Sequence, residues 1–535
     1  MYLENSRIRV AGQRGRLGKK RSKLVLLIVG VLLLGAGFGV YKMVASTSLG
    51  GGGVAALQFD ASVTSAEEQT IRTAVGQQEG YKGPATVLVE TSLAPKDAGS
   101  VLAAYVPVVD AYDTRQQVTK EELRDLQLYV AAGLDPIVRA PLAAALGVNV
   151  AKLTDQPADL PEGAVSFIPV EALTPQYKLL SLDGHYYLDD FSAGAVFRQA
   201  VFLGDGWEKL AEMELNDYAG KDETLKVNMT GVTALTRTMQ SKLNSVKDGA
   251  YFAEKIGSFL ADADITHVSN EVSFKTGCAY STTSFCAPPQ MIDALKASGI
   301  DLVELTGNHN NDTGNQYNTE TINLYHSLGW KTFGGGLNAE EAAKPYIADQ
   351  KGNKVAFLGY NYADGVGSGA IARDFAGANH FDVDRITTDI AAAKKQGAFV
   401  VVDVQFWECQ AYPSGFVEFP ECDVPIPTQK EVFRQLVDLG ADMVVGTQAH
   451  QPQTYEIYRD KPIYYGLGNL YFEQTQWPGT ERGIILTHYF VGGKLVQTKL
   501  TPTVYGKELQ TRLDTADEAS YLLGRLKTAR ETAGL

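Results

Sequence analysis

The chain of 535 residues lacks the features of several large protein classes. No repeat of about 20–50 residues is visible, which excludes solenoids and propellers. Basic residues are not in excess, since 48 lysines and arginines face 62 acidic residues and the net charge is −14, so we expect no nucleic-acid partner. Hydrophobic residues make up 45% of the sequence and charged residues 21%, which excludes a disordered protein. At about 100–200 residues per domain, the length fits two or three folded units.

Common catalytic motifs are also missing. No CxxC pair occurs, which argues against a zinc ribbon or a thioredoxin-like site. No GxSxG nucleophile elbow is present. The glycine-rich segment at 334–338 matches neither GxGxxG nor a GK[ST] phosphate loop, so we interpret it as a tight turn.

One hydrophobic run is long enough to reach across a membrane. Residues 24–41 contain no charge and cover about 27 Å as a helix. Eight basic residues and one acidic residue precede this run in residues 1–23. The positive-inside rule therefore predicts a cytoplasmic tail over 1–23, a signal anchor over 24–45, and a single-pass cell-membrane protein with extracytoplasmic domains. A cleaved signal peptide is the alternative, although its basic region would be long and residues 43–45 are a poor cleavage site.

The predicted extracytoplasmic location permits disulfides between the four cysteines. Three connectivities are available. Because short loops close most easily, we expect Cys278 to pair with Cys286 and Cys409 to pair with Cys422. The glycine-rich residues 46–54 are predicted to be a flexible linker.

Residues 55–202 are predicted to form a first α/β domain. Its apolar runs at 85–91 and 164–170 predict strands, and the pattern at 118–134 predicts an amphipathic helix. Residues 136–184 loosely resemble part of a periplasmic-binding-protein-like domain. An α/β spacer without a ligand is the alternative.

A polar linker is predicted over 203–223, a second domain over 224–505 and a C-terminal helix within 506–535. In this part of the sequence apolar strands alternate with helices, which predicts buried sheets covered by helices. The expected strands are 224–231, 264–272, 301–309, 354–361, 399–407, 442–450 and 461–469, and the expected helices are 290–299, 431–440 and 515–531. Strand ends are where open α/β sheets place their sites. Polar side chains gather there: Asn270, Glu271, Asn308, His309, Trp407, Glu408, His450 and Asn469.

Four motifs of the second domain resemble the CapA/PgsA family. They are SNEVSF (269–274), ELTGNHNNDTG (304–314), GGGLNAEEAAKPYI (334–347) and GTQAHQPQTYEIYRDKPIYYGLGNLYFEQ (446–474). That family is associated with poly-γ-glutamate capsule synthesis, and its domain is built like a calcineurin-type metallophosphoesterase. The resemblance implies a metallophosphoesterase-like α/β sandwich, an envelope polymer such as poly-γ-glutamate as partner, and capsule synthesis subunits as further partners.

The resemblance also implies roles for individual residues. A dinuclear phosphoesterase holds two metals about 3.5–4 Å apart. Asn308 matches the asparagine ligand of the family's "NH" motif, and His309 matches the neighbouring proton donor. Glu271 matches the acid of "NLE", and His450 matches the last histidine of "GHHPH". Asn308, Glu271 and His450 are therefore the expected metal ligands, and His309 and Glu271 the expected catalytic residues.

The sequence departs from the family pattern at other ligand positions. Val232 stands where the first strand normally ends in an aspartate, Thr447 and Gln448 replace two histidines, and Phe406 replaces the histidine of "HWG". A stable two-metal centre is therefore not expected. The remaining residues fit either one divalent metal (Mn²⁺, Zn²⁺ or Mg²⁺) or an acid/base site without a metal.

Several residues have two interpretations. Substrate contacts are expected from Arg237, Asp312, Trp407, Glu408 and Asn469. Trp407 could instead be a packing residue, and Glu408 a replacement ligand or a surface acid. The loop of His309 could be a turn cap, but histidine is the natural proton carrier near neutral pH, which favours a functional role. Four histidines without a motif are predicted to be structural: His185, His326, His380 and His488.

The sequence leaves three functions open. The leading hypothesis is a membrane-anchored extracytoplasmic protein that acts in synthesis, export or hydrolysis of a poly-γ-glutamate-type capsule or envelope polymer. The first alternative is an inactive binding or scaffold protein of the envelope. The second is an ordinary metal-dependent phosphoesterase, and any enzyme here would be a hydrolase with a reduced set of metal ligands.

Overall fold

A computed structural model describes most of the protein that follows the predicted anchor. The described residues are 56–59, 63–77, 86–94, 100–203, 222–281, 284–406, 427–474 and 476–535. Residues 52–535 belong to one compact unit. The predicted tail, anchor and first linker lie outside the described residues, as does most of the predicted linker at 203–223. No helix within the described ranges is long and apolar enough to cross a membrane.

The N-terminal part of this unit is built on one mixed sheet, called here the first sheet. The strands are β1 Ala56–Phe59, β2 Thr86–Ala94, β3 Ser100–Asp110, β4 Gln117–Val118, β5 Leu128–Val130, β6 Leu153–Asp155, β7 Val165–Pro169, β8 Tyr177–Leu179, β9 Ser181–Leu182 and β10 Val196–Leu203, and the helices are α1 Ser65–Gln77 and α2 Pro136–Leu146. The sheet order is β1-β2-β10-β3-β7-β5-β6, with β8 beside β3, and β4 and β9 pair separately.

The predicted helix at 118–134 is wrong. The structure has a short 3₁₀ turn at Glu122–Arg124 and then strand β5. Residues 128–130 are all buried, and β5 lies between β6 and β7 in the sheet. Three consecutive buried residues fit a strand covered on both faces, and this packing outweighs the local helical pattern.

Two further sheets form the second part. The strands of this part are β11 Leu225–Thr233, β12 Ile265–Asn270, β13 Leu302–Glu304, β14 Lys331–Phe333, β15 Gly335–Gly336, β16 Tyr346–Gln350, β17 Asn353–Asn361, β18 Gly377–Ala378, β19 Phe399–Gln405, β20 Met443–Gly446, β21 Tyr455–Tyr458, β22 Lys461–Tyr464, β23 Asn469–Tyr471, β24 Arg482–Val491, β25 Lys494–Tyr505 and β26 Thr511–Leu513. β15 and β18 pair with each other separately from the two large sheets. The second sheet has the order β14-β13-β12-β11-β24-β25-β26, with β23 beside β11. The third sheet has the order β16-β17-β19-β20-β22-β21.

The two sheets pack face to face and are covered by helices outside. The helices are α3 Thr238–Val246, α4 Gly257–Leu260, α5 Ile292–Ala297, α6 Asn315–Ser327, α7 Ala339–Ala342, α8 Val383–Lys395, α9 Pro427–Asp438 and α10 Ala516–Ala533. Val227 of the second sheet and Val401 of the third share one apolar core. Ile322 of α6 covers the outer face of the second sheet, and Ile390 and Phe433 cover that of the third. The result is a four-layer α/β sandwich, so the predicted mixed α/β fold is confirmed.

The layering decides where a site can form. β11 to β14 run parallel, and so do β17, β19, β20 and β22. Loops that follow parallel strands emerge at the carboxyl ends of those strands. The candidate site is therefore expected among the residues at these ends.

Candidate functional site

The loop after β13 holds Asn308 and His309 in a fixed position. A side chain at Gly307 would place a Cβ atom 2.4 Å from the carbonyl oxygen of Asn270, so only glycine fits there. The Asn310 side chain donates to the carbonyl oxygens of Asn270 and Gly307, at 3.2 and 3.1 Å. The Asn270 amide donates in return to Asn310 Oδ1 at 2.7 Å. These contacts join the ends of β12 and β13.

His309 is oriented by a carboxylate. Its Nδ1 lies 2.8 Å from Oδ2 of Asp312, and the Asp312 carboxylate also accepts from the backbone N–H of Phe285 at 2.9 Å. The imidazole ring packs edge-on against Phe285, with centroids 4.7 Å apart. Asp312, predicted to contact substrate, is thus placed to orient His309. A carboxylate at Nδ1 leaves Nε2 as the nitrogen that exchanges a proton with a substrate.

His450 is buried and neutral. Its Nδ1 lies 3.0 Å from Oδ1 of Asn469, whose amide nitrogen donates to Gln474 at 3.1 Å. The Asn469 oxygen therefore faces the ring, so Nδ1 carries the proton. Burial, together with the nearby charge of Arg237, lowers the pKa of His450 to about 3. Asn469, predicted to contact substrate, is a hydrogen-bond partner of this histidine.

Glu271 and Val232 lie at the ends of β12 and β11. Glu271 is 1% exposed, and its Cα lies 2.9 Å from where a Cβ of Gly307 would stand, which places it against the His309 loop. Val232 is fully buried in the apolar core beneath the helices, in the same cluster as Leu305. Its strand partner is Asn469. The backbone of Val232 therefore adjoins the site, while its side chain belongs to the core.

Three amide side chains meet at the ends of the third-sheet strands. Asn361 donates to the carbonyl oxygen of Thr306 and to Oε1 of Gln405, both at 2.9 Å. Gln405 donates in turn to Oε1 of Gln448. Gln448 was predicted to replace a histidine of the family, whereas Asn361 and Gln405 were not predicted. The sequence feature that could have identified Asn361 and Gln405 is a polar residue at the end of an apolar strand.

The donor set does not fit a two-metal centre. Within the described ranges no group of three or more His, Cys, Asp or Glu side chains is arranged to hold a metal ion. The amide of Gln448, at a histidine position of the family, is hydrogen-bonded to Gln405. Asn308 Oδ1 is buried without a hydrogen-bond partner in the described part of the protein, which suits a ligand atom. One such atom is too little to define a metal site.

Arg237 carries a buried positive charge. It is 9% exposed, and its guanidinium lies over the rings of Phe285, Phe472 and Trp477, with the Cζ atom 4.6, 5.1 and 5.9 Å from the centroids. Its backbone has φ +55° and ψ −125°, which is strained for a residue other than glycine. Arg237 thus sits in an aromatic cage, held by packing.

The aromatic cage links Arg237 to both histidines. Phe285 contacts the ring of His309, and Phe472 contacts the ring of His450 at a centroid distance of 5.1 Å. The structure therefore brings together seven of the predicted site residues: Arg237, Glu271, Asn308, His309, Asp312, His450 and Asn469.

The remaining predicted residues divide into two groups. Trp407 and Glu408 lie outside the described residues, as does the predicted pair of Cys409 and Cys422. Cys278 and Cys286 form a disulfide with Cα atoms 5.9 Å apart, which is the pairing that short-loop closure favours.

A buried cluster of ionisable side chains below the site was not predicted. His267 Nε2 lies 3.2 Å from Oδ2 of Asp403, and both side chains are fully buried between the second and third sheets. Burial and the charge of Asp403 raise the pKa of nearby Glu304 to about 8. Glu304 Oε1 accepts from the backbone N–H of Thr306 at 2.8 Å. The sequence feature that could have identified it is an ionisable residue inside each of three apolar strands.

Comparison with known proteins agrees with the motifs. Residues 226–474 match the family model described as "Bacterial capsule synthesis protein PGA_cap". The capsule biosynthesis protein CapA of Bacillus anthracis is 28% identical over 207 residues, covering 38% of this chain and 47% of that protein. The PGA biosynthesis protein CapA of Bacillus subtilis is 26% identical over 214 residues, covering 40% of this chain and 53% of that protein. The chain thus spans about half the length of these curated relatives.

Among solved structures, the NAD nucleotidase of Haemophilus influenzae is similar with a TM-score of 0.31 and 12% identity, over 57% of this chain and 56% of that one. A similarity this low says nothing about what the protein binds or does. The family model and the CapA relatives agree with the resemblance that the four motifs indicate. Residues 226–474, just under half of the chain, therefore form a domain that matches the bacterial capsule synthesis protein family.

Proposed function

We propose that this protein acts on a poly-γ-glutamate-type capsule or envelope polymer and that His309 transfers a proton at the amide bond of that polymer. The observation that carries the proposal is the His309–Asp312 pair at 2.8 Å, within a domain of the capsule synthesis family. Imidazole exchanges protons near neutral pH, and an orienting carboxylate fixes which nitrogen does so.

The chemistry follows from the groups that the site brings together. In the hydrolytic direction Glu271 takes a proton from water, the water oxygen adds to the amide carbonyl carbon, and the C–N bond breaks. His309 gives its proton to the departing nitrogen, so that an amine and a carboxylic acid result. The reverse sequence joins two polymers. A positioned acid or base of this kind contributes about 10²–10⁴-fold in rate.

The proposal includes the location. A basic tail followed by the apolar residues 24–41 supports a single-pass anchor with the sandwich outside the cell membrane. The disulfide of Cys278 and Cys286 supports an oxidising compartment. Subunits of a capsule synthesis complex are the proposed protein partners.

A binding or scaffold role is the second candidate. The observation in its favour is that Gln448, which stands at a histidine position of the family, is hydrogen-bonded to Gln405, so this position offers no imidazole for catalysis or metal binding. An ordinary phosphoesterase is less favoured, because the donor set of the described residues does not fit two metals.

The test uses the full-length protein in membrane vesicles with purified poly-γ-glutamate. The readouts are polymer length by size-exclusion chromatography and the release or loss of primary amines. We expect the wild type to change both and His309→Ala to change neither, while His326→Ala, which removes an exposed histidine, behaves as wild type. Binding without a change in length would support the scaffold. Release of phosphate from a simple phosphoester by the wild type would support the phosphoesterase.

A further inference from the structure

We infer that the guanidinium of Arg237 binds the free α-carboxylate of the glutamyl residue whose amide nitrogen reacts at His309. The inference rests on the proposed function and adds how the same site selects its polymer. It assigns to Arg237 the choice of γ-linked glutamate over other polyamides.

The positive charge of Arg237 is buried without hydrogen-bond acceptors, among the described residues, for all of its donors. Arg237 Nε and Nη1 are both buried and have no hydrogen-bond partner in the described part of the protein. Burying a cation is unfavourable unless hydrogen bonds or an opposite charge compensate it. The three aromatic rings supply cation–π attraction, which compensates only in part. A bound anion would supply the missing acceptors, so the site is built to receive one.

The shape of the guanidinium determines which anion Arg237 can bind. A guanidinium presents N–H donors in a planar fork that matches a carboxylate, whereas an ammonium group acts as a point charge. The rings of Phe285, Phe472 and Trp477 fix the position of the guanidinium. A rigid fork in an apolar cage selects a small planar anion such as a carboxylate.

Arg237 lies close to the residue proposed to transfer the proton, His309. Phe285 contacts both the Arg237 guanidinium and the His309 ring, at 4.6 and 4.7 Å, so one aromatic ring separates the two groups. In γ-linked glutamate the α-carbon carries both the free carboxylate and the amide nitrogen. A carboxylate held at Arg237 therefore brings the nitrogen of the same residue toward His309. In α-linked polyglutamate the free carboxylate lies at the end of the side chain, so the same anchor would misplace the nitrogen.

The experiment measures binding to the full-length protein in detergent micelles by titration calorimetry. Three probes of matched length are compared: poly-γ-glutamate, its methyl ester and poly-α-glutamate. The variants are Arg237→Gln and Arg237→Lys. The control is Arg373→Gln, which removes an exposed arginine that also stacks on a phenylalanine.

We expect wild type and Arg373→Gln to bind poly-γ-glutamate about 10–100-fold more tightly than its methyl ester, as is typical for a charged hydrogen bond. Arg237→Gln should lose that preference, and Arg237→Lys should keep part of it. If Arg237→Gln does not fold, as judged by circular dichroism, the ester and α-linked probes on wild type decide the matter alone.

Two results would overturn the inference while leaving the proposed function intact. One is wild type that binds the polymer and its ester equally. The other is a folded Arg237→Gln that still prefers the free polymer. Wild type that binds none of the three probes would instead overturn the proposed function, and this inference with it.

Discussion

The two halves of the site, one on each sheet, contain different kinds of side chain. The proton-transfer half, formed by Glu271, Asn308, His309 and Asp312, follows strands of the second sheet and keeps ionisable side chains. The amide half, formed by Asn361, Gln405 and Gln448, follows strands of the third sheet and contains only neutral amides. The first half therefore offers ionisable groups that could move a proton, whereas the second half offers neutral groups that are hydrogen-bonded to one another.

The amide half is stable as a unit because each member satisfies another. Buried polar groups need hydrogen-bond partners, and a network that is satisfied internally has little to gain from a metal ion. Changing a single amide back to histidine would break the network before it built a cage. The comparison thus predicts that function depends on the proton-transfer half.

The largest expected effect is on activity in the proton-transfer half. His309→Ala should reduce turnover by about 10²–10⁴-fold, because the proton donor is lost. Stability should change little, since His309 is a loop residue that is 25% exposed in its side chain. Initial rates of polymer length change measure the effect. Turnover within threefold of wild type would remove His309 from the mechanism.

The next effect is on stability. Val232→Asp restores the carboxylate found in the family but places it in the apolar core with Leu305. We expect a loss of about 3–5 kcal/mol in the free energy of unfolding, because an unpaired charge would be buried. Urea denaturation measures it, with Val232→Ala as the control for lost packing. An aspartate variant as stable as wild type that also binds Mn²⁺ would show that Val232 faces the site.

A smaller effect is expected when the orientation of His309 is disturbed. Asp312→Asn keeps the size of the side chain but removes the carboxylate that fixes Nδ1. Turnover should fall by about 10–100-fold, less than in His309→Ala, while KM stays close to wild type. Steady-state kinetics separate the two constants. A rise in KM with unchanged kcat would return Asp312 to the predicted role of substrate contact.

A pH-dependent effect on stability is expected at the buried cluster below the site, where the charge of Asp403 acts on Glu304. The pKa of Glu304 is about 8 in the folded protein and about 4.5 as its ordinary value, so the folded state holds a proton that the unfolded state has lost. This contribution to stability is complete below pH 4.5 and declines as the pH rises toward 8. Glu304→Gln should remove the decline, as seen by urea denaturation at pH 5 and pH 8.

The exposed Glu340 provides the matched control, since Glu340→Gln should keep the wild-type pH dependence. An unchanged decline in Glu304→Gln would mean that Glu304 ionises normally in the folded protein.

Much of the sandwich was predictable because its strands are apolar runs between helices. The predicted helix at 515–531 corresponds to α10, where Thr515 and Glu518 form a capping box. Residues 461–469, predicted as one strand, contain β22 and only the first residue of β23, which belongs to a different sheet, and Gly468 at φ +71° lies between the two strands. A pattern of apolar residues does not specify which sheet a strand joins, so this break could not be predicted.

The site was predictable only in part, namely for the residues that stand in sequence motifs. Asn308, His309 and His450 stand in motifs, so their place at strand ends could be expected. The roles of Asp312 and Asn469 depend on which side chain each one meets, and spacing along the sequence does not determine that. His267, Glu304 and Asp403 lie inside strands, and only the packing of two sheets brings them together.

The most direct test of the account is turnover of poly-γ-glutamate by the full-length protein after exhaustive treatment with a chelator. Metal content is measured in parallel, and His309→Ala serves as the inactive reference. The account predicts that wild type keeps its turnover while His309→Ala has none. Loss of wild-type turnover on chelation, with full recovery on adding Mn²⁺, Zn²⁺ or Mg²⁺, would contradict it.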